Sequence, residues 1–508
     1  MFRLICFTGW QGGSCNGRSR SSHRDVFLPG AMCGTSLGSS WAATSGRGGQ
    51  ARTQPPRMQS PASIWRRDRC KTAPRNEISM PIRLLTDFIP EPMPFESGRP
   101  RPKILFVTSH WPLAPAYGAQ QRVLNIGRLL SRFGDVSYVI VSNEREDEET
   151  ALRTKREFNV RKVIRPVPAA SATSFGRLLN SMRNEIDPTY IATDPYVASE
   201  SDRAALQELI QQHDLVWVHT IRTANWFRIY KWPHSVLDVD DLTSRALWSV
   251  ARLGGGSLKR LRQFKRYWNW RRRERHFLER FDVLTVCSED DRRYLGGQER
   301  IHVIPNGFSP LTISRHNFPN LPRIGFIGNF GHPPNQHGIR WFMDDVWPSI
   351  KRDFPSAQLR LVGRGTEEFS NELGSDITGL GWLEDPGEEI ATWSAMIVPI
   401  KVGSGTRVKV AEGFARGCPI VATAIGAFGF EVTNGVELLQ ADSAEEFSSA
   451  CVSLLRNPQL GEALAGRAHK RFVEKWTWDS FESTVGSVVQ ECLTRTSRDQ
   501  LDRVIAAS

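Results

Sequence analysis

Gly403, Gly405, Arg407, Lys409 and Glu412 crowd two permissive backbone positions, two cations and a carboxylate into the short stretch VPIKVGSGTRVKVAEGFARGCPIVAT, residues 398–423. Glycines at 403 and 405 let the backbone pass close to a ligand and adopt positive φ. The spacing predicts a helix opening near Thr406 to Val408, with its unpaired N–H groups and positive dipole end facing the same space. An anion such as a diphosphate suits that place. Arg407 and Lys409 fall in the first turn, where a helix by itself prefers acids, so the ligand should carry more than one negative charge. Glu412 stands three residues beyond Lys409 on the same face, set back by about one turn or roughly 5 Å. From there it could accept hydrogen bonds from the two hydroxyls of a ribose. The loop lacks the GK[ST] ending of a P-loop and is not GxGxxG. Without its surroundings it also fits an ordinary glycine turn followed by a solvated Lys/Glu pair.

These residues need a scaffold that brings them to one edge. Lys103 opens the buried-strand pattern KILFVTS, followed by a loop with Pro and Gly, the helically spaced AQQRVLNIGRLLSRFG and a second strand, VSYVIVS. Strand, loop, helix and strand within about 40 residues make a βαβ unit that opens a parallel sheet. Further strands read at 214–220, 236–241, 282–288 and 301–307. A second series reads at 323–329, 358–363, 395–400 and 419–424, alternating with helices near 336–352, 386–394, 407–416 and 443–456. The expected fold class is α/β, with two Rossmann-like doubly wound domains at 101–310 and 321–475 facing across a cleft. The last segment, 476–508, reads as a helix returning to the first domain. In such sheets the ligand lies beyond the carboxyl ends of the strands. The glycine loop follows the strand AMIVPI and so stands there.

Taken with IGNFGHPPNQHGIRWFMDDVWPSI (327–350), LVGRG (361–365), ITGLGWLEDPGEEIATWSAMIVPI (377–400) and IVATAIGAFGFE (420–431), the stretch resembles glycosyltransferase family 4. Those enzymes are retaining, use nucleotide sugars and have the two-Rossmann GT-B architecture. The resemblance spans residues 102–485 and is most specific over 323–431. It extends to YGAQQRVLNIGRLL, similar to that family's acceptor-side element, which implies acceptor-side places for Gly118 and Arg122. It implies that Glu412 is the second glutamate of an E-x7-E motif and binds the donor ribose. Gly405, Thr406, Arg407 and Val408 would cradle the diphosphate, with Gly328, Asn329, Gly403, Ser404 and Lys409 also on the donor side. His219 would face the donor sugar as the catalytic histidine, and Trp382 and Leu383 would lie by the base. Two departures stand out. Ser404 occupies the place of the motif's first glutamate, which touches sugar hydroxyls. Asn329 and Gln336 stand in a segment where many relatives carry an Arg and a Lys, and Arg407 and Lys409 are the expected replacements.

The implied reaction moves a hexose-type unit from a nucleoside diphosphate sugar to a glycan or lipid-linked glycan with retention, without a metal or other cofactor. A nucleotide-sugar epimerase of the same architecture and a catalytically silent nucleotide-sugar-binding scaffold are the alternatives, the second kept open by Ser404. DVDD at 238–241 fits a metal-binding carboxylate pair less well than a capping or acceptor-contacting role, since Asp240 and Asp241 precede the helix-like LTSRALW. His219 ends the strand VWVH, where a satisfied core histidine and a functional one are both in keeping.

Residues 1–88 hold 13 Lys/Arg against 4 Asp/Glu, nine of the chain's twelve net positive charges, which argues against a nucleic-acid-binding body. Their Gly-, Ser-, Arg- and Pro-rich texture reads as a disordered basic tail or an overlong start. Residues 258–280 contain ten Lys/Arg and two Glu, with Trp268 and Trp270 among them and Arg271, Arg272 and Arg273 in a row. Such a segment fits a solvated helix or a peripheral contact with an anionic membrane, and less well a nucleic-acid contact. The eight cysteines show no CxxC or Cys/His cluster. Scattered thiols fit the cytoplasm, including the inner face of its membrane.

Overall fold

The computed structural model describes residues 100–507, apart from short stretches at 114–117, 143–147, 169–181, 184–185, 190–195, 253–256, 312–321 and 371–375. The expectation for residues 1–88 lies outside the described residues.

The first lobe is laid out by β1 (Lys103–Thr108), α1 (Gly118–Phe133), β2 (Asp135–Val141), β3 (Asn159–Ile164), β4 (Leu215–His219), β5 (Ser235–Val239), α2 (Thr243–Arg252), α3 (Ser257–Glu274), β6 (Val283–Val286) and β7 (Ile301–Val303). Its seven strands run parallel in the order β3-β2-β1-β4-β5-β6-β7. Every residue of β4 and β5 is buried, as a sheet covered on both faces demands.

The second lobe repeats the plan with β8 (Arg323–Ile327), α4 (Pro333–Trp341), β9 (Gln358–Val362), β10 (Ile377–Gly379), β11 (Ala395–Val398), α5 (Val408–Ala415), β12 (Ile420–Ala422) and β13 (Leu439–Gln440). All pairs are parallel, in the order β10-β9-β8-β11-β12-β13. In both sheets the strand order reverses beside the first strand, between β1 and β4 and between β8 and β11. Those are the topological switch points, where neighbouring loops part and leave a crevice at the carboxyl edge.

After the second lobe, α6 (Glu482–Ala507) crosses back and lays Val485, Val488, Val489 and Cys492 against Ile104, Phe106, Ile126 and Trp217 of the first. Phe308, which follows β7, donates its N–H to Trp476 O at 3.0 Å, shortly before α6.

The basic segment does not form one uniform exposed stripe. In α3, Lys259, Arg260, Arg262, Lys265 and Arg266 are exposed, together with Leu258, Leu261 and Trp268. Of the three consecutive arginines only Arg272 faces out. Arg271 stacks 3.7 Å from the centre of the Tyr294 ring and donates to Tyr294 O, while Arg273 and Glu274 are buried. The reason is periodicity: the last turn of α3 closes over Ser244, whose N–H and hydroxyl both donate to Glu274. No helix among the described residues is long and apolar enough to cross a membrane.

Candidate functional site

The glycine loop leaves the carboxyl end of β11 at the switch point of the second sheet. Gly403 and Gly405 take φ of 121° and 76°, the left-handed region where a side chain would be strained. These two reversals set Arg407 at the N-cap of α5. Its Nη1 donates to Ser404 O at 2.9 Å, but its Nε and Nη2 are buried and have no partner, and neither has the Thr406 hydroxyl. Burial lowers the Arg407 pKa, with Asp241 acting in the opposite sense. Unmatched buried donors cost free energy until an acceptor arrives.

The β8 loop closes the other side of the crevice. Asn335 Nδ2 donates to Asn329 O, and its Oδ1 accepts from Lys409 Nζ at 2.9 Å. Lys409 Nζ also sits 3.9 Å from the centre of the Phe326 ring. A Cβ at Gly328 would lie 2.8 Å from that ammonium, so the bare backbone is what admits it. Burial, then Arg407, press the Lys409 pKa well down, with Glu412 opposing them. Gly328, Asn329 and the Gly403–Lys409 segment are thus gathered around one crevice whose cations lack a full counter-charge.

Glu412 lies on α5 with its side chain 12 % exposed and accepts from Arg416 Nε at 3.1 Å. Burial raises its pKa and Arg416 opposes the rise. Arg416 also pairs with Asp385 at 3.0 Å. Trp382 is an exposed aromatic on the loop after β10, with the Arg364 guanidinium 5.3 Å from its ring centre.

In the first lobe the switch point is built by the ends of β1 and β4. His219 closes β4, fully buried, and its Nδ1 is 2.9 Å from Asp238 Oδ2. Asp238 also accepts from Arg122 Nη2 at 2.6 Å, Arg122 Nε at 3.0 Å and Thr285 Oγ1 at 2.7 Å. Burial alone would raise the Asp238 pKa, but Arg122 and His219 hold it far below the usual carboxylate range. An ionised carboxylate only accepts, so Nδ1 of His219 carries a hydrogen. Its Nε2 is buried without a partner. The next residue, Thr220, has φ 73°, a strained backbone placed at the mouth of the sheet.

Arg122 corrects an expectation. Its side chain is fully buried and is spent on Asp238, Ile304 O and Asn306 Oδ1, so it cannot meet an acceptor. It shares a helix face with Ile126 and Leu129, and Asp238 draws its charge into the core. Gly118 packs closely against the start of α5, for a Cβ there would be 3.0 Å from Val408 Cγ2.

His110 is a residue that sequence reasoning missed. It follows β1 at the switch point, and its ring centre lies 5.8 Å from that of His219, edge-on. Burial and the neighbouring His219 lower its pKa to about 4, so it is neutral near pH 7. The sequence signal was its place just beyond the carboxyl end of the first strand. The DVDD carboxyls are also committed: Asp240 Oδ1 accepts from Asn306 Nδ2 at 3.1 Å, and Asp241 meets the glycine loop. The lobes touch again where the Gly403 N–H donates to Ser249 Oγ at 2.8 Å.

Comparison with known proteins agrees with this geometry. Residues 321–457 match the family model described as glycosyl transferases group 1. The chain is 30% identical over 213 residues to a phosphatidyl-myo-inositol mannosyltransferase of Mycobacterium leprae, covering 39% of this chain and 55% of that one. The corresponding protein of Mycolicibacterium smegmatis is 26% identical over 202 residues, covering 37% and 51%. The chain thus spans about half the length of the curated relatives it matches. Among solved structures, sucrose-phosphate synthase of Thermosynechococcus elongatus aligns with a TM-score of 0.53 at 17% identity, covering 80% of this chain and all of that one. Anabaena HepE, solved with UDP and glucose, aligns with a TM-score of 0.52 at 15% identity, covering 77% and 99%. The two lobes therefore form the GT-B fold of glycosyltransferases, and the second of them carries a glycosyl transferases group 1 segment.

Proposed function

We propose that this protein is a retaining glycosyltransferase that moves a sugar from a nucleoside diphosphate sugar to a glycan or lipid-linked glycan. The observation that carries the reading is the pair of buried, unpartnered donors on Arg407, set beside Thr406 and Lys409 at the start of α5. A departing diphosphate gathers charge as the glycosidic bond breaks, and fixed donors aimed at that charge lower the barrier without reorganising. Glu412 would hold the ribose hydroxyls, with Trp382 near the base. His219 would offer its Nε2 to the donor sugar.

The test is incubation of the full chain with UDP-, GDP- and ADP-sugars and a lipid-linked glycan acceptor, with products read by mass and the anomeric configuration by NMR. Transfer with retention, undiminished by excess EDTA, is the expected result. Strict restoration by manganese would move the chemistry to a metal and end the diphosphate-stabilising role of Arg407 and Lys409. Product formed without an acceptor would point instead to an epimerase.

The mannosyltransferase relatives act, by name, on phosphatidyl-myo-inositol. Together with the exposed cations of α3, that supports an acceptor presented at an anionic membrane. Each basic residue near such a surface contributes about 1 kcal/mol. Changing Lys259, Arg260 and Arg262 to Glu should therefore abolish sedimentation with phosphatidylglycerol vesicles while leaving the melting midpoint in place. Vesicle binding that survives the triple change would return α3 to a solvated helix.

A further inference from the structure

The glycine loop meets a carboxyl group from the other lobe. Asp241 lies two residues beyond β5, and a Cβ built on Gly405 would stand 2.0 Å from its Oδ1. Glycine at 405 is therefore what lets this carboxyl reach the loop. Ser404 Oγ donates to the same oxygen at 3.3 Å. Asp241 is exposed. A carboxylate accepts several hydrogen bonds, and hydroxyls of a polyhydroxylated ligand are suited to fill that capacity.

Ser404 brings a hydroxyl where the resemblance calls for a carboxylate, so the second lobe's loop offers no anionic group of its own there. We propose that Asp241 supplies that carboxylate from the first lobe and grips hydroxyls of the donor sugar. This rests on the donor reading above. The division of labour follows from charge. Arg407 suits phosphate oxygens, which only accept, while a carboxylate suits hydroxyls, which donate. A bare nucleoside diphosphate has no use for Asp241 and is repelled by it. The sugar-bearing ligand needs both lobes together, because its two recognition groups belong to different ones.

Calorimetric titration of the full chain tests this with two ligand pairs, UDP against UDP-glucose and GDP against GDP-mannose. The parent, Asp241→Ala and Asp241→Asn are compared. In Asp241→Ala the nucleotide sugar should bind about tenfold more weakly or worse, the loss of at least one charge-assisted hydrogen bond. The bare nucleotide, relieved of a nearby negative charge, should bind as well or better. Asp241→Asn should fall between the two for the sugar-bearing ligand. Equal weakening of nucleotide and nucleotide sugar would make Asp241 a latch between lobes and overturn the proposal, as would an unchanged nucleotide sugar. In either case nucleotide binding by the parent would leave the donor reading standing. A parent that binds none of the four ligands would remove both.

Discussion

Replacing Arg407 with Met should weaken nucleoside diphosphate binding at least a hundredfold and raise the melting midpoint of the ligand-free protein. The two effects have one cause. Only Nη1 of the guanidinium is matched, by Ser404 O, while Nε and Nη2 are buried without acceptors. Each unmatched donor costs about 1–3 kcal/mol in the empty protein. Met keeps much of the volume and removes that cost. A gain of about 1 kcal/mol would move the midpoint of a chain this size by roughly 2 °C. The same donors, paired with a diphosphate, form charge-assisted bonds of about 1.5–3 kcal/mol each, so losing two costs a hundredfold or more. Thermal melts and titration calorimetry read the two quantities separately. A lower midpoint with unchanged binding would show Arg407 to be a strut facing Asp241 and nothing more.

The second large effect is expected at Asp238. Asp238→Ala should cost about 3–5 kcal/mol in denaturant unfolding, because Arg122 is left charged and unpaired in a fully buried position. Arg122→Met combined with Asp238→Leu should recover most of that stability, since apolar residues of similar size replace buried ion pairs well. Transfer activity should stay down roughly a hundredfold in the same double variant, because His219 has lost the acceptor that fixes its tautomer and ring orientation. Stability returning without activity is the signature of a positioning role. If activity returned as well, Asp238 would be only the counter-ion of Arg122.

How far the sequence foretold these features depends on how local each one is. Central strands such as LVWVH and AMIV are legible because burial on both faces makes them continuously apolar. The edge strands β3, β10 and β13 are not. NVRKVI carries two cations on a half-exposed edge, and the other two are only three and two residues long. The glycine loop is legible because its conformational demands lie within a few residues. The Asp238 cluster is not, since Arg122 and Asp238 are 116 positions apart and meet only when the sheet brings α1 over β5. Arg122 still leaves a trace, sharing a helix face with Ile126 and Leu129. A cation on an apolar face calls for a buried partner before it calls for a ligand. Arg273 carries the same trace in α3, three residues after Trp270, which packs against the core.

The return of α6 to the first lobe bears on how this chain must be made. Val485, Val488, Val489 and Cys492 are part of the wall behind β1 and β4, yet they emerge from the ribosome after the whole second lobe. Domains usually fold in the order of synthesis. Here the lobe begun first can be completed only last, and until then it exposes the apolar flank that α6 will cover. The second lobe, whose sheet is finished by residue 440, can close ahead of it. A chain ending before residue 485 would therefore leave one apolar face of the first sheet uncovered while the strands of the second sheet are all present.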